Sequence, residues 1–171
     1  TNTDADGWYT LKHVALGQAR PVRAYLDGYA PRWLEYLDLT ENGTTIAPDI
    51  KLIRAGTLTG RVVMPDGRPL AENVTAYVDI RPESELPPGV IHETRATARD
   101  DGTFEVPFRA PGSNTLEVTA GPVEGRQGPF WPRWIATVEH VIVKAGETTD
   151  VGDITVHPAT DDESSPLYDP L

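Results

Sequence analysis

The feature that most restricts the fold is that the chain runs through one order of landmarks twice. Asp100-Asp101-Gly102-Thr103-Phe104-Glu105-Val106 answers Ala5-Asp6-Gly7-Trp8-Tyr9-Thr10-Leu11, and Ala110-Pro111-Gly112 answers Ala15-Leu16-Gly17. Further on, Trp131-Pro132-Arg133-Trp134 answers Ala30-Pro31-Arg32-Trp33, and the run from Gly146 to Val156 answers the run from Gly43 to Leu52. The separations run from 95 to 103 residues, so order and spacing are both kept. A period of that kind marks one structural unit used twice.

The unit is written in strands. From Gly56, residues Leu58, Gly60, Val62 and Met64 point one way while Thr59, Arg61 and Val63 point the other, the period of a half-buried strand. Pro65-Asp66-Gly67 supplies a turn, and Val74, Ala76, Val78 and Ile80 resume the alternation. The second copy then reads as seven strands, near 56–64, 73–81, 92–99, 102–108, 114–120, 134–143 and 151–157, enough for two antiparallel sheets face to face. In the first copy, Asp4-Ala5-Asp6-Gly7 is a turn, Trp8–Val14 and Arg20–Leu26 have strand character, and Trp33–Leu39 and Thr45–Leu52 read as strands. The 56–81 hairpin has no counterpart there. Half a sandwich leaves a sheet edge and an apolar face open, so this copy is expected to be completed by the remainder of the parent polypeptide or by another chain.

Composition narrows the function. The net charge of −11 opposes nucleic acid and anionic membrane surfaces, which ask for a basic face. With no cysteine, disulfides, thiolate metal sites and cysteine nucleophiles are excluded. No apolar run reaches the roughly 18 residues of a membrane helix. The chain opens at Thr1 without Met and reads as an excised or processed piece.

The run Gly56-Thr57-Leu58-Thr59-Gly60-Arg61-Val62-Val63, followed by Pro65-Asp66-Gly67-Arg68-Pro69-Leu70, resembles the opening of carboxypeptidase regulatory-like domains. These share a prealbumin-like sandwich with collagen-adhesin B-type repeats. Asp101-Gly102-Thr103-Phe104 and Asp6-Gly7-Trp8-Tyr9 resemble the middle hairpin of that family, and Gly28-Tyr29-Ala30-Pro31 its segment of Gly-Tyr, a small residue and Pro. The resemblance spans about residues 1–157 in two copies and implies a non-catalytic accessory or adhesive module of an exported protein. Adhesin-type relatives carry a lysine on the first strand for an internal isopeptide bond. Lys12, Lys51 and Lys144 are the lysines here and none lies in 56–64, so no such bond is expected in the second module.

Candidates for chemistry are few. Asp4 with Asp6 and Asp100 with Asp101 could hold calcium through their oxygens, although aspartate before glycine is also what a tight turn uses. His13, His92, His140 and His157 show no metal-ligand spacing, and no serine sits in a Gly-x-Ser-x-Gly elbow. No catalytic residue, metal or cofactor is expected. In Gly128-Pro129-Phe130-Trp131-Pro132-Arg133-Trp134, proline-stiffened rings could stack on a sugar. Trp134, like Trp33, opens a strand and reads as core, whereas Phe130, Trp131 and Arg133 read as a partner or glycan contact, or as packing at the module junction. Arg81–Gly89 is an acidic, proline-rich loop suited to recognition or to covering a strand edge.

The expectation is therefore an all-β chain of tandem prealbumin-like antiparallel β-sandwich modules. Residues 1–53 form the C-terminal part of a first module, 54–157 a complete seven-stranded one, and 158–171 an acidic disordered tail. Its role is that of a structural or protein-binding unit, spacer or adhesive, of an extracellular or cell-envelope protein. Alternatives are a carbohydrate-binding module built around Trp131 and an accessory domain of a secreted hydrolase.

Overall fold

The structure, a computed structural model, describes residues 1–14, 21–34, 37, 39, 43–91, 95–122 and 134–160. Every regular element among them is a strand. Those of the back part are β5 (Gly56–Val63), β6 (Val74–Pro82), β7 (Arg95–Thr97), β8 (Thr103–Arg109), β9 (Gly112–Pro122), β10 (Trp134–Val143), β11 (Thr148–Thr155) and β12 (His157–Pro158). β5 to β11 lie within a few residues of where the alternation places seven strands, and β12 is a further strand that it did not place. Only the middle of 92–99 forms β7, and His92, Glu93 and Thr94 lie outside the described residues.

Two sheets result, one in the order β12-β10-β9-β6-β7 and one in the order β11-β5-β8. Their inner faces supply one core. Leu58, Val62, Phe104, Val106 and Ile154 from the smaller sheet meet Val78, Ile80, Leu116, Val118 and Val143 from the larger. Leu58, Ile80 and Leu116 are fully buried, and burying a side chain of that size contributes about 1.5–3 kcal/mol. The larger sheet is antiparallel throughout. In the smaller sheet β8 runs antiparallel to β5, but β11 runs parallel to it. Expecting only antiparallel pairs was wrong at this one place, because alternation fixes which face a residue takes and not the direction of its neighbour.

The front part is thinner. It holds β1 (Val22–Ala24), β2 (Tyr29–Ala30), β3 (Arg32–Leu34) and β4 (Ile53–Arg54), with β1 paired to β3 and β2 to β4, both antiparallel. Residues 8–14 and 45–52 form no strand, against the reading of their alternation. The strand expected over 33–39 is confined to β3, and Glu35, Tyr36 and Asp38 lie outside the described residues.

The turns at Asp4–Trp8 and Arg99–Thr103 are built alike. Asp4 N–H donates to Trp8 O (2.9 Å) and Gly7 N–H to Asp4 O (3.1 Å); Arg99 N–H donates to Thr103 O and Gly102 N–H to Arg99 O, both 2.8 Å. Gly7 and Gly102 have φ of 86° and 83°. Six residues on, His13 and Phe108 share φ of 57°, a left-handed conformation that bulky residues rarely adopt. Each pair is 95 residues apart.

Candidate interaction surface

Front and back meet along a continuous seam. Ala55, between β4 and β5, donates its N–H to Gly28 O (2.8 Å) and accepts from Gly146 N–H (2.7 Å), so both sides hold it by backbone. The acidic, proline-rich loop receives β3: Trp33 N–H donates to Gly89 O and Ile91 N–H to Pro31 O, each at 2.8 Å. Arg32 fixes the register, with Nε donating to Pro88 O (2.9 Å) and Nη1 to Lys51 O (2.7 Å). Beneath lies a small apolar cluster of Ala30, Ala55 and Ala110 with Leu86, Val90 and Phe108. Gly89 is required here. It has φ of +77°, and a Cβ on it would stand 2.2 Å from the Trp33 carbonyl oxygen.

The same loop is anchored at its other end by Glu83. Its carboxylate accepts from Ser113 Oγ (2.7 Å), Thr115 Oγ1 (2.9 Å) and His140 N–H (2.7 Å), and lies 2.8 Å from His140 Nδ1. His140 sits at φ of 59° in the bulge that shifts the β9–β10 register between Val138 and Val141. Ser, His and Glu together suggest a hydrolytic triad, but the geometry is a different one. A triad needs the hydroxyl to donate to the imidazole, whereas here hydroxyl and imidazole both converge on the carboxylate. The cluster pins a bulge.

These contacts hold the Glu83 carboxyl down to about 2 from its ordinary 4.5, with the Ser113 hydroxyl first, then the N–H and ring of His140. The Glu83 hydrogen bond and charge raise His140 above 6.5. A depressed carboxyl contributes stability in full above pH 4.5 and loses it as pH falls toward 2; a raised imidazole contributes in full below 6.5 and loses it as pH climbs through its elevated value. Glu83→Gln is expected to bring the His140 titration back to its ordinary range and to flatten the acid-side loss, read by NMR titration and acid melts. An unmoved His140 would refute the anchor.

Of the residues singled out in the sequence, Phe130, Trp131 and Arg133 lie outside the described residues. Trp134 packs against the main core, as expected, while Trp33 remains 39% exposed and is not core. Asp4 caps its own turn, its Oδ1 accepting from the amides of Asp6 and Trp8, and Asp101 Oδ1 accepts from Thr103. Among the described residues no three His, Asp or Glu side chains gather as a metal would require. Nor is any helix there long and apolar enough to cross a membrane. No sequence signal pointed to Glu83 or His140, because their partners are 30 to 57 residues apart in the chain.

No family model matches the chain, and no curated protein matches it in sequence. Among solved structures it is similar to GBS52, the minor pilin of the gram-positive pathogen Streptococcus agalactiae, at 14% identity and a TM-score of 0.37. The match covers 69% of this chain and 50% of that one, so the chain spans about half the length of the structure it matches.

Proposed function

We propose that the chain is a non-catalytic structural β-unit of a larger exported or cell-surface protein, built of two modules of one design in tandem, the first incomplete. The carboxypeptidase regulatory-like resemblance of Gly56–Leu70 and of the two Asp-Gly turns fits that reading. The observation that carries it is the seam. A joint of one residue, Ala55, is held from both sides by backbone hydrogen bonds, which suits a spacer that keeps its parts in fixed relation. Among the described residues, the grouping of Ser113, His140 and Glu83 is spent on holding a bulge.

Gly89→Val tests the seam. It is expected to speed amide exchange at Trp33 and Ile91 about tenfold or more while the core amides of β6 and β9 keep their protection. Unchanged exchange at Trp33 would show that the seam does not hold the front part. The full chain is also expected to leave model esters and glycosides intact. Turnover that disappears in Glu83→Gln would overturn the non-catalytic reading.

A further inference from the structure

We infer that the front part is an acceptor for one added β-strand of β5's own pattern, entering between residues 8–14 and residues 45–52. This rests on the tandem reading above. In the back part β5 is the middle strand of three, with β8 antiparallel on one side and β11 parallel on the other, and neither outer strand has a second partner in that sheet. Residues 8–14 correspond to β8, tied to it by the shared turn bonds, the paired glycine φ values and the left-handed His13 and Phe108. Residues 45–52 follow Gly43 as β11 follows Gly146.

These two stretches alternate like strands and form none. By contrast, β1 and β3 do form. They pair antiparallel, with Trp33 opposite Arg23, as β9 and β10 pair with Trp134 opposite Ala120. The difference is the neighbour, because strand backbone needs N–H and C=O groups to pair with. The strands with a counterpart partner formed, and the two whose partner would be the middle strand did not.

Burial and packing agree. Val106, beside β5, is 0% exposed, whereas Leu11, which answers it 95 residues earlier, is 45% exposed. A Cβ on Gly102 would stand 2.2 Å from the Val62 carbonyl oxygen of β5, whereas one on Gly7 meets no described residue within 4 Å.

The back part also gives the occupant's chemistry. Gly60 lies opposite Phe104, whose ring atoms would be 2.8 and 2.9 Å from a Cβ there, and Leu58 lies opposite Val106. The incoming strand therefore carries glycine facing Tyr9 and an apolar side chain facing Leu11, runs antiparallel to residues 8–14, and runs parallel to residues 45–52. It is an extended segment from outside these 171 residues, recognised by backbone pairing and by that one small position.

The probe is a synthetic peptide of residues 55–65, added in excess to the full chain, with amide exchange as readout. Exchange within residues 8–14 and 50–52 is expected to slow about tenfold or more, and the same peptide carrying G60V is expected to have no effect. Unchanged exchange, equal protection by the G60V peptide, or protection appearing only along β8 or β11 would each overturn the proposal. So would concentration-dependent dimerisation that protects the same amides without peptide, since the occupant would then be a second copy. Silent amides beside an intact seam defeat the acceptor alone, whereas turnover lost in Glu83→Gln defeats the structural reading and leaves these amides untouched.

Discussion

Replacing Gly102 by alanine is expected to destabilise the chain by about 3 kcal/mol, while the same change at Gly7 costs only about 1 kcal/mol. Both glycines hold a left-handed φ, 83° and 86°, so a side chain adds backbone strain of similar size at each. The surroundings make the difference. At Gly102 the new methyl would lie 2.2 Å from the Val62 carbonyl oxygen, and Val62 N–H donates to Gly102 O at 2.8 Å. Backbone atoms in the middle strand of a sheet cannot step aside cheaply, so the clash weakens the β5–β8 pairing that closes the smaller sheet. A methyl on Gly7 would meet no described residue within 4 Å. Urea melts of the two variants measure the contrast. Equal losses would mean that the neighbourhood of Gly102 yields freely, and that packing around the two turns does not differ as described.

Asn114→Leu is expected to cost about 3 kcal/mol. Arg109 is 1% exposed, and its Nη2 donates to Asn114 Oδ1 at 2.5 Å. Burial alone lowers the guanidinium pKa, a sign of how much it loses by leaving water. Asn114 is anchored in turn, its Nδ2 donating to Gly112 O at 2.9 Å and reaching Val141 O at 3.5 Å. Removing the amide therefore takes an acceptor from a buried cation and leaves carbonyls short of a donor. Replacing Arg109 by Met in the same molecule is expected to recover part of the loss, because two apolar side chains in the place of a polar pair leave no charge unmatched. If the double variant is as unstable as the two single losses added together, the residues do not act as a pair.

Most of the back part was legible as strands from the period of two alone. Leu58 and Val62, then Val74, Ala76, Val78 and Ile80, then Leu116, Val118 and Ala120 face the core as their spacing dictates. The same rule failed at 8–14 and 45–52, and the reason is physical. Alternation describes a face that would suit a strand, but the strand exists only when a neighbour takes its hydrogen bonds. Direction was equally hidden, as the parallel β5–β11 pair shows. The loop at 81–89 stood out as acidic and proline-rich, yet nothing in it reveals that Glu83 reaches His140 or that Gly89 receives Trp33. Those partners are fixed by which strands become neighbours, a non-local outcome.

By itself, the order of residues determined that this chain is built of β-strands, that it has no cysteine chemistry, and that its Asp-Gly turns recur at a fixed separation. Only the tertiary structure decided which alternating stretches became strands, which carboxylate was spent on holding a bulge, and where front and back are fastened. Side-chain period is a property of the chain alone, whereas hydrogen-bond partners and close approaches belong to pairs of segments that only folding brings together.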